Sequence, residues 1–167
     1  MLTLLKLGGS LITDKQTENH YREDEAHRIA QEIAQAYAQT PGLRLIIGHG
    51  SGSFGHVAAK KHGTMDGVAT PEQWRGFAEV ATTAAALNAY LAQTLFQADI
   101  PLWRIQPSAS AVAVSGVIAY MDLNPIRAAL EHGLVPLVYG DVALDEIRGG
   151  TIISTETIFT YLTQQLE

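Results

Sequence analysis

The sequence predicts an α/β fold in which an open, mainly parallel sheet is flanked by helices, with β-hairpin excursions. Short apolar runs alternate with helical segments, and parallel strands need such helices as crossover connections. Two of the runs end in glycine-rich turns, Lys6-Leu7-Gly8-Gly9-Ser10 and Gly48-His49-Gly50-Ser51-Gly52-Ser53-Phe54-Gly55-His56. Glycine lets the backbone approach a bulky anion and direct N–H groups at it. The turns therefore predict a phosphate site at the carboxyl ends of parallel strands.

The first third of the chain alternates strand and helix. Leu2–Leu7 is apolar and ends at a Gly-Gly pair, as expected of a buried strand, and the polar residues 9–22 are predicted as a loop. Apolar residues recur at helical spacing from Glu23 to Gln39, where a Pro-Gly pair ends the helix. Leu43–Gly48 is the second strand, and the second glycine turn leads into a helical segment at Phe54–Lys61.

The middle of the chain begins with the clearest helix start. Thr70-Pro71-Glu72-Gln73 combines a capping threonine, a proline suited to the first turn and a glutamine that closes a capping box. This alanine-rich helix is predicted to run to Gln97, and Pro101–Ile105 follows as the third strand. Residues 108–121 are small and β-branched around Gly116, which predicts a hairpin or short strands.

The last segment repeats the pattern. Asn124-Pro125 opens another helix, Val135–Tyr139 is a fourth buried strand, and residues 140–153 are predicted as a hairpin. Ser154 or Thr155 then caps a helix that runs to the end of the chain, with no strand after it. We therefore expect the fold to be incomplete at its carboxyl end.

Composition and charge exclude several classes of protein. The 167 residues are 47% hydrophobic and 17% charged, which is typical of a globular domain. The net charge is −6 with no block of Lys or Arg, so a broad nucleic-acid-binding face is not expected. No apolar run reaches the roughly 20 residues that cross a membrane. With no basic leader and no cysteine, the sequence predicts a cytoplasmic protein without a membrane partner.

Three charged residues near the predicted strand ends are candidate catalytic groups. Lys6 stands two residues before Gly8, where its ammonium could face phosphate oxygens, although a strand lysine can also simply extend to solvent. Lys15 lies in the loop after the first turn, where the alternative is a solvated surface lysine. Asp141 follows the fourth strand, where it is either a turn aspartate or a carboxylate that holds lysines in position. Neither glycine turn has the Walker-A spacing.

The second glycine turn is the more specific signal. Its four glycines within eight residues are too dense for a simple hairpin, and a helix that starts there would direct free N–H groups at an anion. His56 falls in the first turn of that helix and is a candidate anion ligand, the alternative being an ordinary surface or core histidine. His49 is a second, weaker candidate for the same role.

Together these residues resemble the isopentenyl phosphate kinase family of the amino-acid-kinase superfamily, over essentially the whole chain. The motif Ser53-Phe54-Gly55-His56 is the most specific part of the resemblance, because acetylglutamate and uridylate kinases share the general plan without it. The other matching segments are Lys6–Ser10, Thr13–Lys15, Ala58–Lys61, Gln106–Ser108, Gly140-Asp141 and the predicted hairpin with Ile153-Ser154.

The resemblance implies a role for each candidate residue. The ATP phosphates would be bound by Lys6, Gly8, Gly9, Ser10 and Gly52. The phosphate of the acceptor would be bound by Gly50, Ser51, Gly55, His56 and Thr155. Lys15 would stabilise the transferring phosphoryl group and Asp141 would organise the lysines, so the candidate catalytic residues are Lys6, Lys15, His56 and Asp141. No metal ligand is predicted.

The resemblance also implies a reaction in which the γ-phosphoryl group of ATP moves to isopentenyl phosphate, giving isopentenyl diphosphate and ADP. Mg²⁺ is expected as the partner of ATP, and a homodimer is expected as the assembly. The alanine-rich helix and the small residues after Ser108 would line an apolar slot for the isoprenoid tail. Two alternatives stay open: a related small-molecule kinase of the fosfomycin type, and a non-catalytic module that binds an anion without turnover.

The family pattern also bears on completeness. Residues 1–167 correspond to the amino-terminal, substrate-binding portion of the fold, and the nucleotide-binding half is absent from them, so we expect the isolated chain to be inactive. Two positions depart from the pattern. Ser51 stands where a glycine is usual, and Ser154-Thr155-Glu156-Thr157 stands where Ser-Gly-Asp-Asp is frequent.

Overall fold

A computed structural model describes residues 2–14 and 16–166, without the side chains of residues 56–58 and 61. Its elements follow the predicted alternation. They are β1 (Leu2–Leu7), α1 (Gly9–Ile12), α2 (Glu23–Ala38), β2 (Arg44–His49), α3 (Gly52–His62), α4 (Pro71–Gln97), β3 (Leu102–Arg104), β4 (Val112–Val114), β5 (Val117–Tyr120), α5 (Asn124–Glu131), β6 (Val135–Tyr139), β7 (Asp141–Asp145), β8 (Gly149–Ile153) and α6 (Thr155–Gln165). A 3-10 turn covers Pro107–Ala109.

The main sheet is parallel throughout, in the order β1-β2-β6-β3. Its register pairs Leu7 with His49 and His49 with Tyr139, so the carboxyl ends of β1, β2 and β6 lie side by side. This arrangement confirms the predicted parallel α/β fold. It also places both glycine turns at one edge of the sheet, as the sequence analysis predicted.

The two predicted hairpins are present, but they form a second sheet together. Its strand order is β5-β4-β7-β8, with a parallel pair β4-β7 between the two antiparallel hairpins. The carboxylate of Asp145 accepts hydrogen bonds from the backbone N–H groups of Ser115, Gly116, Ile147 and Arg148, and so joins the two hairpin turns. The sequence analysis did not predict this pairing, because it links segments far apart in sequence.

Helices cover both faces of the parallel sheet. Successive strand residues point to opposite faces, and accordingly Ile47 belongs to the apolar cluster under α2 and α4, whereas Ile46 belongs to the cluster under α5 and α6. On α4, Leu87, Leu91 and Leu95 recur every fourth residue and are 0% exposed. Burying each such side chain contributes about 2 kcal/mol, so this stripe is what anchors α4 to the sheet.

Helices α4 and α6 each begin directly after a capping residue that the sequence analysis identified. Thr70 forms the predicted capping box with Gln73 at the start of α4, and the Ser154 hydroxyl accepts the N–H of Thr157 at the start of α6. The prediction of a loop over residues 9–22 was wrong at its beginning, where the short helix α1 forms. Ile12 is 0% exposed there, and its burial holds the turn against α2 and α3.

No helix in the described part of the chain is both long and apolar enough to cross a membrane.

Candidate functional site

The two glycine turns touch each other. A Cβ atom built on Gly9 would lie 2.3 Å from the backbone nitrogen of Gly52, and one built on Gly50 would lie 3.1 Å from the nitrogen of Gly9. Gly52 also has a φ of +51°, in the left-handed region that favours glycine. Two stretches of chain about forty residues apart in sequence therefore meet backbone to backbone, which only residues without side chains allow.

Thr13 fastens this contact. Its hydroxyl donates to the carbonyl oxygen of Gly9 at 2.8 Å and accepts the N–H of Ser53 at 3.0 Å. The residue is 1% exposed, so both bonds are shielded from water. Thr13 thus connects the first glycine turn, at Gly9, to the first helical turn of α3, at Ser53. The neighbouring Ser53 hydroxyl is buried without a hydrogen-bond partner among the residues that the structure describes.

A cavity of about 710 Å³ opens beside the touching turns. It is lined by every residue to which the resemblance gives a role and whose side chain the structure describes: Lys6, Gly8, Gly9, Ser10, Gly50, Ser51, Gly52, Gly55, Asp141 and Thr155. Lys15 lies outside the described residues, and so does the side chain of His56. The predicted convergence of the described residues on one cavity is therefore observed, while the roles assigned to each remain predictions.

Part of the remaining cavity wall is apolar, next to polar side chains that include Gln16 and Glu18. Ala59 of α3, Met65, Val80 and Ala84 of α4, and Ile152 of β8 line it. The contribution of the alanine-rich helix α4 agrees with the expectation of an apolar slot. The small residues after Ser108 do not contribute, because Ala111 and Ala113 pack instead into the core cluster that contains α5 and α6. One cavity therefore joins a surface rich in backbone N–H groups to a hydrocarbon-lined surface.

Lys6 is paired with a carboxylate that the sequence analysis did not select. Its Nζ atom lies 2.6 Å from Oε1 of Glu156, with side chains 34% and 64% exposed respectively. The bond from Lys6 lowers the pKa of Glu156 below its ordinary value. Glu156 stands in the first turn of α6, where an acidic side chain is favoured by the helix dipole. That position, next to the predicted cap, is the signal that could have identified it.

Asp141 has a different set of partners. Its carboxylate accepts the N–H groups of Ser108 at 3.1 Å and Val142 at 2.8 Å. Burial raises the pKa of this carboxyl, and those hydrogen bonds oppose the increase. The carboxylate that pairs with Lys6 is thus Glu156 and not the predicted Asp141, whose hydrogen bonds come from the 3-10 turn and from its own strand. Its expected contact with Lys15 stays a prediction.

Thr155 serves the backbone in this structure. Its hydroxyl donates to the carbonyl oxygen of His49 at 2.5 Å, and the residue is 1% exposed. The bond fastens the end of β2 to the start of α6. A direct substrate contact by Thr155 stays a prediction. The observed hydrogen bond shows that Thr155 stabilises the cavity wall by holding β2 and α6 together.

His49 is a core residue, and the hypothesis that it binds a ligand was wrong. It is 0% exposed, its ring stacks on Tyr139 with centroids 5.6 Å apart, and both ring nitrogens have partners inside the protein. Burial lowers its pKa to about 4, and the bond to the Gly50 carbonyl opposes this only in part. The imidazole is therefore neutral at physiological pH.

The structure offers no protein cage for a metal ion within its described residues, since no three His, Cys, Asp or Glu side chains are grouped to hold one. The cationic and N–H groups at the cavity are suited instead to anions. Lys6 and the backbone around Gly9, Gly50 and Gly52 supply them.

Comparison with known proteins agrees with this chemistry. Residues 1–167 match the sequence profile of the amino acid kinase family. The isopentenyl phosphate kinase of Methanocaldococcus jannaschii is 37% identical over 173 residues, covering 100% of this chain and 66% of that protein. The isopentenyl phosphate kinase of Methanothermobacter thermautotrophicus is 40% identical over 152 residues, covering 88% of this chain and 56% of that protein.

The likeness extends to three dimensions. A solved structure of an isopentenyl phosphate kinase superposes with a TM-score of 0.90 at 36% sequence identity, covering 99% of this chain and 68% of that one. This agreement confirms the fold derived from the sequence. The chain spans 56% to 66% of the length of the two curated relatives that it matches.

Proposed function

Because this chain belongs to the amino acid kinase family, we propose that the protein containing it phosphorylates isopentenyl phosphate with ATP. One observation carries the proposal. A single cavity presents glycine-turn N–H groups and Lys6 on one part of its wall and Ala59, Met65, Val80, Ala84 and Ile152 on another. Isopentenyl phosphate has the matching shape, because a phosphate group is attached directly to a short hydrocarbon chain.

The polar part of the wall suits a reaction between two anions. ATP and the acceptor repel each other, and phosphoryl transfer is catalysed mainly by alignment and by charge stabilisation. We assign Lys6, Gly8, Gly9, Ser10 and Gly52 to the phosphates of ATP. The backbone at Gly50, Ser51 and Gly55, with the side chain of His56, is assigned to the acceptor phosphate. Lys15 is assigned to the phosphoryl group in transfer.

The apolar part of the wall suits the hydrocarbon tail. Burial of a methylene group contributes about 0.8 kcal/mol, so a five-carbon tail contributes roughly 3 to 4 kcal/mol when fully enclosed. That amount corresponds to a preference of more than 100-fold over a monophosphate without a tail. The apolar wall therefore explains how a small monophosphate can be selected without any polar contact to its carbon skeleton.

The chain supplies part of the site. Since it spans 56% to 66% of the relatives' length, we propose that residues 1–167 provide the acceptor site and part of the surface for the ATP phosphates. Mg²⁺ is proposed to enter with ATP, held by the nucleotide's own phosphates, and it would offset their charge. The homodimer and the cytoplasmic location stay predictions.

The full-length protein tests this proposal directly. Purified protein is incubated with ATP and Mg²⁺ and with isopentenyl phosphate or fosfomycin, and ADP release and the phosphorylated product are measured. We expect turnover with isopentenyl phosphate. Turnover confined to fosfomycin would favour the phosphonate-kinase alternative, and binding of both compounds without ADP release would favour a non-catalytic module.

A further inference from the structure

We infer that His49 is a positioning residue that orients the Gly50–Ser51 peptide so that its N–H group faces the cavity as an anion donor. Three hydrogen bonds connect this peptide to Arg104 through the protein interior. His49 Nδ1 lies 3.0 Å from the Gly50 carbonyl oxygen, His49 Nε2 lies 3.1 Å from Asn88 Nδ2, and Arg104 Nε lies 2.8 Å from Asn88 Oδ1. The inference deepens the proposed function and rests on it.

The direction of each hydrogen bond is determined by its ends. A carbonyl oxygen can only accept, so Nδ1 of His49 carries the proton that it donates to Gly50. Nε2 of the neutral ring must then accept, and the Asn88 amide donates to it. The Asn88 oxygen is left as an acceptor for Arg104, whose guanidinium can only donate. The three side chains therefore form a hydrogen-bond chain in which every donor points from Arg104 towards the Gly50 carbonyl.

This hydrogen-bond chain orients the N–H group of Ser51 through the geometry of the peptide bond. In a trans peptide the C=O and N–H groups point in opposite directions, and no cis peptide occurs in the described residues. Because the Gly50 carbonyl is bound to the buried ring, the N–H of Ser51 points away from the ring. Gly50 and Ser51 both line the cavity, and within the described residues the Ser51 N–H has no acceptor.

The surroundings keep the ring and the peptide in place. The His49 ring stacks on Tyr139 at an interplanar angle of 10°, and burial lowers its pKa to about 4, which keeps it neutral. The carbonyl of His49 accepts bonds from Thr155 and from the N–H of Gly140. The N–H of Gly50 donates to the carbonyl of Leu7 at 3.1 Å. These bonds hold both polar groups of the adjoining His49–Gly50 peptide, which limits the movement of Gly50 before any ligand arrives.

A second observation points to a ligand at the same place. Ser53, in the first turn of α3, is 8% exposed and lines the cavity, and its hydroxyl has no hydrogen-bond partner in the described structure. Buried hydroxyl groups are nearly always hydrogen-bonded in folded proteins. A bound phosphate oxygen would satisfy this hydroxyl together with the free N–H of Ser51.

The test removes the hydrogen-bond chain while keeping the core filled. His49→Phe retains a ring on Tyr139 but loses the donor to Gly50, and Asn88→Leu keeps the branched shape of Asn88 without leaving an unpaired amide. In the full-length protein, the double variant is expected to fold with a Tm close to that of the wild type. Its KM for isopentenyl phosphate is expected to rise about 10- to 100-fold, the effect of one hydrogen bond to a charged group. A folded double variant with the wild-type KM would overturn the inference.

The Arg104 end of the chain provides a matched pair of variants. Arg104→Lys keeps a cationic donor for Asn88 and should leave KM near the wild-type value. Arg104→Leu frees the Asn88 amide to rotate and should raise KM several-fold, with an unchanged Tm because Arg104 is exposed. Equal KM values for these two variants would contradict a directional chain.

A measurement on the wild-type full-length protein separates this inference from the proposed function. Inorganic phosphate is titrated while the backbone amide signal of Ser51 is followed by NMR, with no turnover required. The Ser51 signal is expected to move in the wild type and to stay in place in the double variant. A Ser51 signal that does not respond in the wild type overturns the inference, whichever substrate the enzyme uses and whether or not the double variant folds.

Discussion

The ammonium group of Lys6, at the mouth of β1, lies 2.6 Å from the carboxylate of Glu156 at the start of α6. The two residues come from opposite ends of the chain, and both line the cavity that the glycine turns border. The ion pair holds the cation beside the surface assigned to the ATP phosphates. We therefore expect Glu156 to act on phosphate binding through Lys6.

Glu156→Gln tests this relationship. The pair is partly exposed, so its loss should change the free energy of unfolding by no more than about 0.5 kcal/mol. The kcat of the full-length enzyme should fall about tenfold, because a freely moving ammonium spends less time in the productive position. Steady-state kinetics and urea denaturation check the two effects separately.

Glu32→Gln is a matched control for this variant. Glu32 is also 64% exposed and also pairs with a cation, Arg28, but both residues lie on α2 away from the cavity lining. It should alter neither kcat nor stability. If the Glu156 and Glu32 variants behave alike, the Lys6–Glu156 pair has no functional role.

The contact between the glycine turns predicts an asymmetry between two adjacent glycines. Gly9→Ala would place a Cβ atom 2.3 Å from the backbone of Gly52, whereas a Cβ atom on Gly8 meets nothing within 4 Å. Gly9→Ala should lower the free energy of unfolding by at least about 2 kcal/mol, because backbone must move. Gly8→Ala should change it by less than about 0.5 kcal/mol. Urea denaturation of both variants checks this, and equal stabilities would show that the turns are not in contact.

The buried His49 predicts a pH dependence of stability. Its pKa is lowered to about 4 by burial, whereas the unfolded chain binds a proton near pH 6.5. Between these values the unfolded state holds more protons, so stability falls as the pH is lowered from about 6.5 to about 4. The loss attributable to this group is of order 3 kcal/mol and ends near pH 4, where both states are protonated.

Urea denaturation across this pH range, in the wild type and in the His49→Phe/Asn88→Leu variant, isolates the histidine. Carboxylates such as Asp141 titrate in both proteins, so the difference between the two profiles belongs to His49. We expect the difference between the two free energies of unfolding to change steadily from pH 6.5 to pH 4. Parallel profiles would mean that His49 is already protonated, or exposed, in the folded state.

The apolar wall predicts a change in acceptor binding that does not affect the nucleotide. Met65 lines the cavity and is 62% exposed, so Met65→Ala should leave stability nearly unchanged. The KM for isopentenyl phosphate should rise several-fold because the tail loses contact area, and the KM for ATP should stay constant. An equal change in both KM values would place Met65 outside the tail slot.

Local signals in the sequence predicted most of the fold. The capping box at Thr70 determines the start of α4 through contacts three residues apart, and the structure has the helix at Pro71–Gln97 as predicted. The second sheet was beyond such signals. Its central parallel pair aligns Val112 with Leu144. Nothing in the sequence around either strand indicates that the other is its partner.

The candidate site shows the same division. The glycines were identified because turn chemistry is visible in the sequence, and Gly9 and Gly52 do meet. The partner of Lys6 was assigned to Asp141 instead of Glu156, because both residues follow strand ends and only the packing of α6 distinguishes them. His49 stands among the glycines, yet its ring faces the core, a direction that the alternation of β2 sets only after its pairing is known.

The most direct test of the account compares two acceptors in the full-length enzyme, isopentenyl phosphate and methyl phosphate, by their kcat/KM values with saturating ATP. Both carry the same anionic group, and they differ in the hydrocarbon that the apolar wall would enclose. The account predicts that isopentenyl phosphate is preferred by roughly 100-fold or more. Equal values for the two acceptors, or no transfer to either, would contradict it.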